Sequence, residues 1–133
     1  MAQDRLPVSV DTSHDPLRRM RAFQLAAELV PDTYEDAKAI RAEPITEKIA
    51  GQLYTAVSSI EANISEGYSR GSGKDRARLF EYALGSVRES MSWYKASSPV
   101  LGDALVKDRL DRLEEMRRLL LAIIPRERGR SMK

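Results

Sequence analysis

The chain of 133 residues contains no cysteine and only one histidine, and both absences exclude whole classes of site. Without cysteine there is neither a disulfide framework nor thiolate chemistry. One histidine excludes a multi-histidine metal site within a chain, including the Glu-x-x-His pairs of di-iron bundles. That residue, His14, lies in a polar N-terminal segment and is interpreted as a solvated loop residue. A carboxylate site for a hard cation stays possible, but no ligand spacing indicates one, and we expect neither metal nor cofactor.

Long apolar runs are also missing. The longest, LLLAII at residues 119–124, is far shorter than the roughly 20 residues of a membrane-spanning helix. The N-terminus has no apolar signal-peptide core. We therefore expect a cytoplasmic protein without a membrane partner, and the length favours one domain with its own hydrophobic core.

The chain has almost no excess charge of one sign, because 22 lysine and arginine residues oppose 20 aspartate and glutamate residues, for a net charge of +2. The positive charges are nevertheless concentrated in one loop and at the C-terminus, with a weaker patch at Arg18, Arg19 and Arg21. Cations at such density bind phosphates without reading sequence. The candidate nucleic-acid-binding residues are Arg70, Lys74, Arg76 and Arg78 in the loop, and Arg126, Arg128, Arg130 and Lys133 in the tail.

No segment has the pattern of a β-strand, and apolar residues recur at helical spacing in four segments. The first helix is predicted from Pro16 to about Arg41, with Asp15 as its N-cap. Pro31 lies inside it and predicts a bend, with two shorter helices as the alternative. The second helix is predicted to open at Pro44, with Ile45 on its apolar face, and to end near Gly67 in a left-handed cap.

The third helix is predicted to start with a capping box formed by Ser72 and Asp75. Gly85 lies in its middle, which costs about 1 kcal/mol relative to alanine, so we expect a neighbouring helix to approach closely there. The fourth helix is predicted from Asp103, as its cap, to Pro125.

Together these segments predict an all-α, antiparallel up-down four-helix bundle over residues 15–125. A flexible N-terminal arm, residues 1–14, is expected to precede the bundle. A basic tail, residues 126–133, is expected to follow it.

One stretch, QLYTAVSSIEANISEG at residues 52–67, resembles the pattern Q-L-x-R-A-x-x-S-I-x-x-N-I-x-E-G of the four helix bundle proteins. That family is also known as the 23S rRNA intervening-sequence or S23-type proteins. A second pattern, F-L-x-x-A-x-G-S-x-x-E, follows after a loop of the expected length, with Leu79 and Phe80 in reversed order at its start. The matching residues are Gln52, Ala56, Ser59, Ile60, Asn63, Ile64, Glu66, Gly67, Ala83, Gly85, Ser86 and Glu89.

The resemblance implies a bundle that assembles into a cyclic homopentamer and is encoded within intervening sequences of bacterial 23S rRNA genes. Similar bundles are accessory proteins of diversity-generating retroelements, where they bind nucleic acid and a reverse transcriptase. The favoured hypothesis is therefore a non-enzymatic, oligomeric module that binds structured RNA or a reverse transcriptase.

The alternative is a protein-interaction scaffold without a nucleic-acid role, whose contacts would include Trp93. Under that interpretation the basic loop is only the solvated tip of a hairpin. An enzyme is disfavoured, since the sequence has no nucleophile-base pair and no P-loop. Asn63, Glu66 and Gly67 are interpreted as structural, because buried amides need partners and glycine commonly ends helices.

Overall fold

A computed structural model describes residues 14–129, which form helices joined by short turns. A 3₁₀ turn at Pro16–Arg19 leads into the helices α1 (Arg21–Ala42), α2 (Glu47–Tyr68), α3 (Gly73–Ala96), α4 (Ser98–Leu101) and α5 (Asp103–Arg128). No strand occurs within residues 14–129. Nearly all of the predicted arm, as well as Arg130 and Lys133, lies outside the described residues.

The four long helices form an up-down bundle, because α1 packs on α2, α2 on α3, and α3 on α5. The single turn α4 belongs to the connection between α3 and α5. The seam between α1 and α5 has the sparsest backbone contact of the four long-helix seams. The all-helical bundle expected from the sequence is thus confirmed.

The core is filled by the apolar stripes of the helices, as expected for amphipathic helices in a bundle. The fully buried large side chains are Leu29, Ile40, Leu53, Val57, Ile60, Ile64, Phe80, Val87, Tyr94, Leu113, Met116 and Leu120. Ile45 is an exception, with 90% of its surface exposed. It lies in the turn before α2, which begins at Glu47 and not at Pro44.

Both internal prolines lie within continuous helices. Pro31 is inside α1, so the alternative of two separate helices is wrong, while the bend stays a prediction. Pro125 is inside α5, which continues to Arg128, so the predicted end at Pro125 is also wrong. Both prolines are exposed, and on a solvent-facing side the carbonyl that loses its N–H donor is satisfied by water.

The helix starts follow local capping chemistry. The Ser72 hydroxyl accepts a hydrogen bond from the Asp75 N–H at 3.1 Å, which confirms the predicted cap of α3. Asp15 accepts from the Leu17 N–H at 3.0 Å, but it caps the 3₁₀ turn, and α1 begins later at Arg21. Gly102, not Asp103, precedes α5, with a φ of 89° that glycine adopts without strain.

Neither Gly67 nor Gly85 has the role predicted for it. Gly67 does not end α2 in a left-handed cap, since the helix runs to Tyr68. It is buried, and a Cβ there would lie 2.8 Å from the Phe80 ring and 3.1 Å from the Leu79 Cβ. Gly67 therefore allows α3 to approach α2 closely. Gly85, where a neighbouring helix was expected, is exposed and has nothing within 4 Å of such a Cβ.

This contrast predicts opposite effects for two identical substitutions. Gly67→Ala should lower the free energy of unfolding by about 1–3 kcal/mol, since the added methyl overpacks the α2–α3 contact. Gly85→Ala should raise it by up to about 1 kcal/mol through helix propensity alone. Urea unfolding followed by circular dichroism, at one protomer concentration, measures both. Equal effects of the two substitutions would contradict the close approach at Gly67.

Candidate nucleic-acid interface

The up-down topology brings the basic segments of the sequence to one end of the bundle. This end contains the starts of α1 and α3 and the ends of α2 and α5. Its segments 15–21, 66–78 and 126–128 carry four carboxylates against nine cations, which are Arg18, Arg19, Arg21, Arg70, Lys74, Arg76, Arg78, Arg126 and Arg128. We call this end the basic pole.

The other end of the bundle has no such excess. Its segments 41–48 and 95–108 carry four cations, Arg41, Lys48, Lys95 and Lys107, and four carboxylates, Glu43, Glu47, Asp103 and Asp108. The chain, whose net charge is only +2, therefore has an uneven distribution of charge along the bundle axis. An anionic polymer is attracted to the basic pole in preference to the opposite end.

Arg76 lies inside the basic pole and connects three helices. Its Nε donates to the Glu127 carboxylate at 2.9 Å, and its Nη1 donates to the Tyr68 carbonyl at 2.6 Å. Its guanidinium also lies 5.1 Å from the centre of the Tyr68 ring. Glu127 is buried, so this pair ties the ends of α2 and α5 to the start of α3. The surface that the pole presents to a ligand is formed by the other cations.

Arg70, Arg78 and Arg128 of the pole form ion pairs with carboxylates whose side chains are about half exposed. Arg70 pairs with Glu66 one turn earlier in the chain. Arg78 lies 3.6 Å from an Asp75 oxygen and 5.7 Å from the centre of the Tyr82 ring, and Arg128 pairs with Glu81. Exposed pairs of this kind contribute little to stability. A phosphate can therefore replace the carboxylate at small cost to the fold.

Lys74 and Arg126 are exposed, and within residues 14–129 neither forms an ion pair. Arg126 and Arg21 line a groove of about 200 Å³ between the end of α5 and the start of α1. Lys74 and Arg126 therefore need lose no ion-pair partner within residues 14–129 to bind a phosphate. The sequence indicated Arg21 only as part of a weaker basic patch. The structure places it beside Arg126, one of the C-terminal cations.

A buried polar network joins α1, α3 and α5, and the sequence pattern did not reveal it. The Tyr94 hydroxyl donates to Asp36 at 2.6 Å and lies 2.8 Å from the Thr33 hydroxyl. Arg109 donates to both oxygens of Asp36, at 2.7 and 3.2 Å. Burial, followed by the hydrogen bond to Asp36, raises the pKa of Tyr94. The phenol therefore stays neutral at physiological pH and serves as a structural donor.

Further ion pairs close the sparse α1–α5 seam. Arg112 donates to Asp32 at 2.8 Å, one turn away from the Asp36 pair, and Arg21 lies 3.3 Å from Glu115. The hydrogen bond to Asp36 is the main cause of a raised pKa of Arg109. The sequence of α5 alone does not show these pairs, because charge alternation within one helix does not reveal its register against another.

The motif residues of the resemblance do not converge on a common site. Ser59 and Asn63 donate to helix carbonyls one turn earlier, at 2.8 and 2.9 Å, and the Ser86 carbonyl accepts from Ser90 at 2.8 Å. Glu66 forms the ion pair described above, and Gln52 is exposed. The structural interpretation of Asn63 agrees with its contact, whereas Gly67 is structural through its packing against α3 and not as the predicted cap.

No group of three or more histidine, aspartate or glutamate side chains within residues 14–129 is placed to hold a metal ion. Over the same residues, no helix combines the length and the apolar character needed to cross a membrane.

Known proteins resemble this chain in sequence and fold. The sequence profile described as 23S rRNA-intervening sequence protein matches residues 18–122. A crystal structure of a protein with unknown function from the S23 ribosomal protein family of Bacteroides thetaiotaomicron VPI-5482 has a TM-score of 0.72 and 20% identity. The match covers 77% of this chain and 97% of that chain, and at this identity it shows the fold alone. No curated protein matches the sequence.

Proposed function

Because the chain belongs to the family of 23S rRNA-intervening sequence proteins, we propose that it is a non-enzymatic accessory protein that binds structured RNA. The binding surface is the basic pole. The observation that carries this proposal is the gathering of nine cations from separate parts of the sequence at one end of the bundle. Lysine and arginine at such a surface contact phosphates and release counterions.

The composition of the pole favours RNA with a folded backbone over an unstructured strand. Binding of single strands usually relies on aromatic side chains that stack with successive bases. Near the pole, the half-buried Tyr68 has Arg76 5.1 Å from its ring centre, and Tyr82 alone is a single exposed ring, too little for stacking with successive bases. Recognition of RNA helices rests mainly on shape and on phosphate and 2′-hydroxyl contacts, which the exposed cations of the pole can supply.

We further propose that the protein acts as a homopentamer in which five basic poles engage one RNA. Repetition of weak contacts raises the overall avidity without any new kind of contact. In this proposal the ring holds an RNA for a reverse transcriptase. Light scattering should then give a mass about five times that of the 15.0 kDa chain, whereas a monomeric mass would contradict the assembly.

A protein-interaction scaffold is the second candidate function. Tyr82 and Leu121 favour it, because both are large apolar side chains exposed on the outer faces of the bundle. Trp93 contributes less than the sequence suggested, since it is half-buried and donates to Glu89 at 3.0 Å. Purification from the source cell separates the candidates: bound nucleic acid supports the first, and a defined protein partner without nucleic acid supports the second.

The proposed function is tested by fluorescence anisotropy with a fully paired RNA hairpin over a series of salt concentrations. If about four phosphates are contacted per pole, the logarithm of the affinity should fall with the logarithm of salt with a slope of about −3 to −4 for each pole engaged. An unstructured RNA of equal length should bind more weakly. Absence of binding at low salt, where screening is least, would contradict the proposal.

A further inference from the structure

A second surface feature, remote from the basic pole, combines aromatic rings with cations. It is a groove of about 200 Å³ between the outer faces of α1 and α2, lined by Tyr34, Lys38, Arg41, Gly51 and Tyr54 together with two alanines. We call it the tyrosine groove. Counted along α2 from Tyr54 to Tyr68, it lies about 20 Å from the pole at 1.5 Å per residue.

The two tyrosines of the groove pack edge to face, which holds the exposed Tyr34 ring in place. Their centroids are 5.7 Å apart with an interplanar angle of 72°, so the edge of one ring supports the other. Tyr34 remains 53% exposed, which leaves aromatic surface accessible to solvent. Unpaired bases of RNA are commonly bound by stacking on aromatic side chains of this kind.

The charges around the groove favour an anionic ligand. Lys38 Nζ lies 5.7 Å from the centre of the Tyr34 ring, and Arg41 follows one turn later along α1. No carboxylate lines the groove, although Glu35 pairs with Lys38 at 3.3 Å outside it. Two cations beside two aromatic rings match the phosphate and the base of a nucleotide.

The size of the groove restricts the ligand further. Its volume of about 200 Å³ is below the roughly 300–1,000 Å³ of pockets for drug-sized ligands. A single base is therefore a better match than a dinucleotide or a larger cofactor. Gly51 contributes to this space, because a Cβ at that position would have no neighbour within 4 Å.

We propose that the tyrosine groove binds one unpaired nucleotide extruded from a structured RNA. The base stacks on Tyr34, whose ring Tyr54 supports edge to face, and the adjoining phosphate contacts Lys38 and Arg41. This inference rests on the proposed function for the identity of the ligand and extends it. The pole binds the RNA backbone, and the groove selects RNA that carries an unpaired nucleotide.

The test compares two RNA hairpins that are closed by the same compact, stacked tetraloop and are identical except for one bulged pyrimidine in the stem. The unmodified protein should bind the bulged hairpin about five-fold or more tightly than the paired one, which is the lower range for stacking one base. Gly51→Leu should abolish this preference by filling the groove. Because it replaces a helical glycine whose surroundings are open, it should not lower the Tm. A preference that survives Gly51→Leu would overturn the proposal.

Two matched controls assign the effect to the groove. Gly51→Ala gives a similar gain in helix propensity but leaves most of the groove open, so it should keep the preference. Tyr82→Leu alters a tyrosine with 52% exposure that also carries a cation 5.7 Å from its ring centre, but on α3. Tyr82→Leu should also keep the preference for the bulged hairpin. If Tyr82→Leu loses that preference, the bulged nucleotide binds at the pole, and the proposed groove site is overturned.

The outcomes also separate this inference from the proposed function. Substitutions at the pole should weaken both hairpins by a similar factor and leave their ratio unchanged. If the unmodified protein binds neither hairpin, the proposed function fails. The groove can then be tested alone by crosslinking the protein to a photoreactive single-stranded pentanucleotide. Crosslinks at Tyr34 or Tyr54 would then support a nucleotide site, and their absence would overturn it. If the Gly51→Leu variant has a lower oligomer mass than the unmodified protein, the groove is a contact between two copies of this chain. That result would also overturn the proposal.

Discussion

Asp36→Ala is expected to lower the free energy of unfolding by about 3 kcal/mol. Asp36 is 4% exposed and accepts hydrogen bonds from Tyr94 and from Arg109. Alanine leaves the Arg109 guanidinium without its buried carboxylate, and it leaves the Tyr94 hydroxyl with Thr33 as its partner. Since domains of this size unfold with about 5–15 kcal/mol, the loss is a large part of the total. Urea unfolding at a fixed protomer concentration measures it.

Asp32→Ala is the matched control, because it removes the same side chain one turn earlier along the same helix. Asp32 also pairs with an arginine of α5, at 2.8 Å from Arg112, but its side chain is 47% exposed. An exposed pair contributes about 0–1 kcal/mol, so Asp32→Ala should have at most that effect. Equal losses in the two variants would show that the buried network does not lock the α1–α5 seam.

Replacing Arg70, Lys74 and Arg126 by glutamine is expected to weaken the binding of paired RNA by about 100-fold or more near 0.1 M salt. Each lost phosphate contact removes close to one counterion from the binding equilibrium, which corresponds to almost ten-fold in affinity at that concentration. The Tm should stay nearly unchanged, because all three side chains are exposed and only Arg70 forms an ion pair within residues 14–129. Anisotropy titrations and thermal melts measure the two quantities.

The control replaces Lys48, Lys95 and Lys107 by glutamine at the opposite end of the bundle. Both triple variants lower the net charge from +2 by the same three units. The control should therefore reproduce any general effect of net charge and lose much less affinity than the pole variant. If both triple variants lose RNA affinity equally, RNA binding depends on the overall charge of the protein and not on the pole. Arg76 is kept in every variant, because its pairing with Glu127 supports the fold.

The architecture was accessible from the sequence because it depends on local patterns. The spacing of Leu53, Val57, Ile60 and Ile64 identified a buried stripe, and Ser72 identified a helix start, without knowledge of any other element. Such patterns are set by the helix period and by capping chemistry. They do not depend on how one helix lies against its neighbours.

The errors concern features that depend on the surroundings of a residue. Gly67 and Gly85 are both glycines within helical patterns, but only Gly67 is pressed against Phe80. Pro125 is tolerated in α5 because it faces solvent. The pairing of Asp36 with Arg109 joins residues 73 positions apart. Packing and register decide these outcomes, and neither is encoded in a single helical segment.

The basic pole was accessible only in part. The loop and tail cations were visible as separate clusters, and the up-down topology predicted from the short connections implies that they share one end. The internal position of Arg76 was not visible, because it depends on Glu127 lying beside the start of α3. The tyrosine groove was not visible either, since Tyr34 and Tyr54 meet only through the packing of α1 on α2.

The measurement that tests the central claim most directly is lysine footprinting of the protein with and without a paired RNA hairpin. Lys74 is at the basic pole, whereas Lys95 and Lys107 are at the opposite end, and all three are exposed. Brief acetylation followed by mass spectrometry reports the reactivity of each. RNA bound to the pole should protect Lys74 and leave Lys95 and Lys107 as reactive as before. An unprotected Lys74 in the RNA complex, or protection only of Lys95 and Lys107, would contradict RNA binding at the basic pole.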